Sequence, residues 1–474
     1  MSFSCRNGVC SNKKHSHRQC SKRARHAFAA FSAICALSIA VQAQDTAPPG
    51  IEANLSVSQR LEYSDNPDLE NNGQSDTFGR TVLRFNLGSA KPTERFSLSF
   101  GTDIEEGRND QSTIDINNSN LGIGYTREAR NANIQTRFNY RETDVTGDGF
   151  DEIIDQDGNI INQDDGTLES YRFNVSGDVG IDAPIGASYG LEYSALRYSD
   201  TSDPDLTDRT TFAANGTLNF RLSPRITTQL IGRYSDFDAE GDGVDRETTS
   251  LGVGTQFIVN PVLRGNVALT YDRIERSGDE IGTDDGLSLS AGLTQSFKDG
   301  TLGLTFSSDV SSNDDGRRTF IGMRRSRDLP RAQSFGYSFG LTRSDGTGVD
   351  PIFGLDYSYA LSDSRISVSL SQSVNTDSDN EEEIVTSFSG SYEYEVNSLS
   401  TLGVTLSFFD RNELGINAND GQRVDLSVTY NYALTRDWGL VSGYRHILSK
   451  QDDRSDRDSN TFFVGLQRNF DWRP

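Results

Sequence analysis

Carboxylates are the residues best placed to do chemistry in this chain. Between Glu142 and Thr167 stand nine acids and no base. Within that stretch, Asp144-Val145-Thr146-Gly147-Asp148-Gly149-Phe150-Asp151-Glu152 sets oxygen donors at alternate positions followed by glycine. That spacing matches the first half of a calcium loop, where a hard cation takes several oxygen ligands. Asp144, Asp148, Asp151 and Asp155 would be the ligands, and Ca2+ is the one cofactor the chain suggests. The segment Asp238-Ala239-Glu240-Gly241-Asp242-Gly243-Val244-Asp245 echoes the pattern. Neither copy has glutamate at its twelfth position, where Asp155 and Thr249 stand. A solvated acidic loop is the simpler reading, since crowded carboxylates repel one another and hold water.

Nucleophilic and transition-metal chemistry has little material. Cys5, Cys10, Cys20 and Cys35, with His15, His17 and His26, all lie in the first 43 residues. Beyond them there is no cysteine and a single histidine, His446. A disulfide framework or a thiolate metal site is therefore not expected. A Ser-His-acid hydrolase would have to use His446. Its parity in Tyr444-Arg445-His446-Ile447 matches Tyr444, which suggests an interfacial position, and the chain reads as a non-enzyme.

Residues 1–43 have the form of a secretory signal peptide. Arg6, Lys13, Lys14, Arg18, Lys22, Arg23 and Arg25 precede an apolar stretch from Ala27 to Val41, and in Val41-Gln42-Ala43 the first and third positions, −3 and −1 of a cleavage site, are small. The whole chain has 474 residues and a formal charge of −24. Removing the leader takes away those seven bases and no acid, leaving 38 bases against 69 acids, or −31. Such a surface repels phosphodiester backbones, so nucleic acid is excluded as a partner.

The elements that must carry these residues are strands. No apolar run after the leader reaches the length of a membrane helix. Instead, the hydrophobic signal has period two. Ile51, Ala53, Leu55, Val57, Gln59, Leu61 and Tyr63 alternate with Glu52, Asn54, Ser56, Ser58, Arg60, Glu62 and Ser64. Successive strand side chains point to opposite faces, so one face is apolar and the other charged. About 22 such segments follow one another (20–24), mostly of 9–13 residues, the length that crosses a bilayer when tilted. Short turns at 89–94, 128–131, 183–186, 223–225, 260–262, 298–300, 328–333, 362–363, 397–398 and 435–437 alternate with longer loops. Those loops fall near 65–76, 105–113, 142–167, 199–209, 236–246, 275–285, 311–317, 344–350, 375–383, 410–421 and 448–458. This is the pattern of an all-β, antiparallel transmembrane β-barrel of the outer membrane. Its short turns would be periplasmic and its long acidic loops external. Residues 44–474 form that domain.

Aromatic residues would mark both interfaces: Tyr63, Tyr140, Tyr234, Tyr271 and Phe408 near the long loops, Tyr125, Phe257, Phe297 and Trp438 near the short turns. The polar parity predicts pore-lining residues of both signs: Arg60, Glu62, Asp103, Arg137, Arg141, Arg172, Asp178, Arg365, Arg423 and Asp425. The final strand keeps Phe462, Val464, Leu466, Phe470 and Trp472 on one parity, the kind of signal that barrel-assembly machinery reads. Arg473 and Pro474 follow the last aromatic and depart from the usual form.

The stretch Leu61-Glu62-Tyr63-Ser64-Asp65-Asn66-Pro67, with polar strands such as Gly322-Met323-Arg324-Arg325-Ser326-Arg327, resembles the β-barrel porin family of outer-membrane proteins. The resemblance implies an outer-membrane location, and an association of some members with exopolysaccharide production. It transfers no functional residue. The expected function is a passive, cation-preferring aqueous channel for small solutes, in contact with outer-membrane lipid and lipopolysaccharide. Two alternatives stand: a barrel for exopolysaccharide export or surface assembly, and a structural or adhesive surface protein with cation-binding loops. Energised transporters also have 22 strands, with a plugged lumen. Only Gln44 to Gly50 precede the first strand here, which leaves no plug and argues against energised uptake.

Overall fold

The computed structural model describes residues 50–473 except 70–72, 108–113, 145–165, 202–206, 241–243, 279–280, 311–315, 345–347, 377–381, 414–419 and 452–453. The expected signal peptide, residues 1–43, therefore lies outside the described residues. The described residues form 22 strands and no helix. The first eight are β1 (Gly50–Ser64), β2 (Asp76–Lys91), β3 (Glu94–Glu106), β4 (Ile114–Ala129), β5 (Ala132–Asp144), β6 (Thr167–Val179), β7 (Ile185–Ser199) and β8 (Arg209–Ser223). Next come β9 (Ile226–Ala239), β10 (Val244–Asn260), β11 (Leu263–Gly278), β12 (Gly282–Phe297), β13 (Gly300–Val310), β14 (Arg317–Leu329) and β15 (Gln333–Ser344). The last are β16 (Val349–Ala360), β17 (Ser364–Thr376), β18 (Glu382–Asn397), β19 (Ser400–Glu413), β20 (Gly421–Ala433), β21 (Trp438–Gln451) and β22 (Arg454–Trp472).

Each strand pairs antiparallel with the next, and β22 returns to pair with β1 from Ala53↔Trp472 to Ser64↔Thr461. The sheet therefore closes, and closure removes the unpaired edge that hydrocarbon cannot solvate. The ten expected short turns are all present. Asn260 shows why they could be read from sequence: its Oδ1 accepts from the backbone N–H groups of Val262 and Leu263, both at 2.9 Å. Such side-chain-to-backbone bonds favour asparagine in turns.

The long loops are shorter than expected. Stretches 236–246, 275–285 and 448–458 are mostly strand, because β9 and β10, β11 and β12, and β21 and β22 continue their ladders past the apolar zone. β10 has 17 residues. At about 3.4 Å per residue and a tilt near 40°, that gives roughly 44 Å of height, against an apolar band roughly 25 Å tall. Past the apolar band the outer face turns charged while inward residues such as Ala239, Val244 and Ile274 are buried, so the apolar alternation inverts and the hydrogen-bond ladder continues.

One irregularity keeps the pattern in register. Asp103 pairs with Asn117 while Gly101 pairs with Asn120, so Asn118 and Ser119 together oppose Thr102. This is a β-bulge, and Asn118 takes a positive φ of 52°. Ile114 and Ile116 stand at even positions, whereas Leu121, Ile123 and Tyr125 stand at odd ones. Without the extra residue, these two sets would face opposite sides of the sheet. With it, Ile114, Ile116 and Ile123 are all exposed on the outer wall.

At the seam the chain adds side-chain bonds. Asp65 accepts from the backbone N–H of Asn460 at 2.7 Å and from its side-chain amide at 2.8 Å. Asn66 donates to the Asp458 carbonyl at 2.9 Å, and the Thr461 hydroxyl donates to that of Ser64 at 3.1 Å. The Ser-Asp-Asn-Pro motif thus ties the first strand to the last. Charge-assisted bonds of this kind contribute about 1–3 kcal/mol. Asp65→Ala is expected to lower the unfolding free energy in detergent by about 1–2 kcal/mol, read from denaturant midpoints. An unchanged midpoint would show that the ladder alone holds the seam.

Candidate functional site

Parity divides the wall. Leu61 and Tyr63 are 57% and 47% exposed on the outer face, while Glu62 between them is 1% exposed on the inner face. All ten residues expected to line a pore lie on the inner parity. Arg60 and Glu62 stand on β1, Asp103 opposite Val82, and Arg137 and Arg141 opposite Gly124 and Asn120. Arg172 and Asp178 oppose Asn139 and Asn133, Arg365 opposes Ala360, Arg423 opposes Phe409, and Asp425 opposes Ile447. They do not converge on one centre, and their surroundings differ.

The first group sits beside the seam. Arg80 is fully buried, and its Nη2 donates to Glu105 Oε1 at 2.7 Å while Nε lies 3.6 Å from Glu62 Oε2. The Arg80 guanidinium also lies over the Phe78 ring, and that of Arg60 over Phe463. A second group joins β20 and β21. Arg423 Nε donates to Asp425 Oδ2 at 2.8 Å, and Arg445 Nη2 reaches Oδ1 at 3.4 Å. Beside it, Arg411 Nε lies 3.8 Å from the fully buried Glu383. Arg80, Glu105, Glu383, Arg411 and Arg445 were not singled out from the sequence. Their parity was readable, but not their burial.

Apolar residues share these inner faces: Phe78, Val82, Val385, Phe409, Ile447 and Phe463 are buried, and Leu69 just after β1 is fully so. The inner wall therefore combines buried ion pairs and apolar side chains with exposed polar ones. Apart from Val441, the buried inward apolar and charged side chains lie in the long-loop halves of their strands or at strand middles. Toward the short turns the inner wall keeps contact with water, as at Arg137 and Arg365, which are exposed.

The wetter half is built from amides and hydroxyls. A hydrogen-bonded row crosses β5 to β10. Asn133 donates to Asp178 at 2.9 Å, Ser188 donates to Asp178 at 2.6 Å, Gln229 donates to Asn219 at 2.7 Å, and Gln256 donates to Gln229 at 3.4 Å. From β15 to β20 the wall is lined by small hydroxyls. Ser334 and Ser358 lie 2.7 Å apart, as do Ser371 and Ser387, and Ser369 donates to Asp356 at 3.1 Å. Arg324 pairs with the same Asp356 at 3.1 Å.

On the outer wall, Arg468 lies over both the Trp438 and Phe470 rings at the short-turn end, with its charge at the interface. In the β12–β13 turn, desolvation pushes the Asp299 pKa up. Hydrogen bonds from Arg327 and Arg325 outweigh this and hold it below the usual carboxylate range. His446 follows Tyr444 outward; its Nδ1 lies 3.0 Å from Asn460 Oδ1, to which the Tyr444 hydroxyl also donates. Asp148, Asp151 and Asp155 lie outside the described residues, as does the side chain of Asp144, whose backbone ends β5. In the second acidic segment, Asp238 is the penultimate residue of β9 and Asp245 the second of β10, with Asp245 Oδ1 accepting from Ala239 N–H at 3.0 Å.

A closed 22-strand sheet with an apolar outer band is an outer-membrane β-barrel, and comparison with solved structures agrees. The FrpB iron transporter of Neisseria meningitidis aligns with a TM-score of 0.55 at 10% identity, over 88% of this chain and 81% of that one. A ferric enterobactin receptor of Pseudomonas aeruginosa aligns at 0.53 and 11%, over 89% and 82%. At that identity the likeness shows the fold. No protein-family model matches the chain, and no curated protein matches it.

Arg80→Met would leave two carboxylates buried without their guanidinium, which costs about 3–5 kcal/mol. Chemical unfolding in detergent should show that loss, and adding Glu62→Gln with Glu105→Gln should recover most of it. No recovery would mean that Arg80 acts through packing alone.

Proposed function

We propose that this barrel is a passive outer-membrane channel for small polar solutes, with a preference for cations. One observation carries the reading: the inner parity holds charge, amide and hydroxyl groups that remain wet through the short-turn half, while the outer parity is apolar. Water and small solutes can occupy such an interior, and lipid cannot. In the long-loop halves Arg80, Arg423 and Arg445 are buried. Acids outnumber bases 69 to 45 in the whole chain, and loop carboxylates would repel anions at that mouth. That an iron transporter and a ferric enterobactin receptor share the fold is compatible with solute passage.

Planar-bilayer recording across a tenfold KCl gradient is expected to give a reversal potential of cation-selective sign. No conductance, or anion selectivity, would contradict the proposal.

A second reading rests on the serine-lined wall of β15–β20. Its small hydroxyls, interspersed with charges such as Asp356 and Arg365, suit a polyhydroxylated solute, which agrees with the polysaccharide link that the family resemblance implies. In a deletion strain this reading expects less secreted polysaccharide, while reconstituted barrels show little ion conductance. Unchanged polysaccharide would remove it.

A further inference from the structure

The inner wall at the short-turn mouth holds a niche of about 390 Å³. Two inward rows build it. Gly88, Ser97, Gly124 and Arg137 lie side by side across β2 to β5, and Ala90, Arg95, Thr126 and Gln135 form the next row toward the turns. The first row has almost no side-chain bulk before Arg137, so the floor lies near backbone height. A Cβ placed on Gly124 would come within 2.6 Å of Ser97 Oγ, so the Ser97 hydroxyl leans over that floor. Arg95 and Arg137 stand two strands and one inward row apart, roughly 12 Å at the backbone. Side chains of that length can address one object between them.

Both guanidinium groups are exposed, and among the described residues neither has an acid within ion-pair distance. Among the described residues, three carboxylates flank this wall: Glu52 is bridged by Arg473 at 3.4 Å, Asp178 accepts from Asn133 and Ser188, and Glu128 stands one row nearer the turns. With the Gln135 amide oxygen turned toward it, Arg137 donates to it at 2.9 and 3.3 Å, which fixes the plane of the guanidinium. Several other inner-wall arginines already hold carboxylates: Arg80, Arg172, Arg276, Arg324, Arg411, Arg423 and Arg445 do. Two unneutralised planar donors over a glycine floor, with a hydroxyl and an amide beside them, suit a tetrahedral or planar oxyanion.

We propose that this niche is a binding site for a small oxyanion, the phosphate or carboxylate group of a solute reaching the barrel from its short-turn side. It goes beyond the channel reading and lies at the mouth opposite the acidic loops. An anion repelled at one end of the barrel would be held at the other.

The test is calorimetric titration of the detergent-solubilised, full-length barrel with pyrophosphate at low ionic strength, which requires no conductance. Saturable binding is expected. Arg95→Gln and Arg137→Gln should each weaken it at least tenfold, whereas Arg225→Gln, which removes the same charge from the β8–β9 turn, should leave it unchanged. Circular dichroism of each variant verifies that the strands are intact. No heat from the native protein, or equal weakening by Arg225→Gln, overturns the proposal.

Discussion

A backbone amide left unpaired in hydrocarbon costs several kcal/mol, so a sheet in a membrane must find a partner for its first and last strands. Here that partner is the sheet itself. β1 and β22 pair along twelve residue positions, and Asp65, Asn66 and Ser64 add side-chain bonds to Asn460, Asp458 and Thr461. The seam is the one pairing made between the two ends of the sequence. Twenty-one hairpin contacts can form locally, and each is joined by a turn or loop; this one must wait for the whole chain.

Closure then converts a simple alternation into a sided wall. Odd residues of β1 meet lipid, and even ones enclose a lumen. The bulge at Asn118 shows how strictly this is kept, since one extra residue restores Ile114 and Ile116 to the outer face. Inside, the charges are not spread evenly. Toward the long loops, ion pairs such as Arg80–Glu105 are buried with Phe78 and Phe463; toward the short turns, amides, serines and free guanidinium groups stay wet. One end of the inner wall is thus charge-lined and buried, and the other polar and exposed.

Much of this was written in the amino acids. Turns were readable because Asn260, Asn397 and Gly300 have local reasons to be where they are: two accept backbone N–H bonds and the third takes a positive φ. The inner parity of Arg137, Arg365 and Asp425 followed from period two. Depth did not follow, because alternation gives the face of a side chain and says nothing of what covers it. Arg80 and Arg137 look alike in sequence, yet one is fully buried between two carboxylates and the other is open. Loop ends such as 236–246 were misread because the alternation inverts there: Phe237, Ala239 and Val244 turn inward and Asp236, Asp238 and Asp245 outward while the ladder continues. The acidic segment around Asp148, Asp151 and Asp155 lies outside the described residues.

The absence of cysteine between residues 44 and 474 allows a direct test of the sided, half-dry lumen. Single cysteines would be placed at Ser391, Val385 and Leu289, in the reconstituted barrel, and reacted with a charged, membrane-impermeant thiol reagent. Rapid labelling at Ser391, slow labelling at Val385 and protection at Leu289 by lipid are the results expected of a closed barrel that is wet at its short-turn half. Equal labelling of Ser391 and Leu289 would contradict it, because no sheet with an oily outer face and an aqueous inner one could give that result.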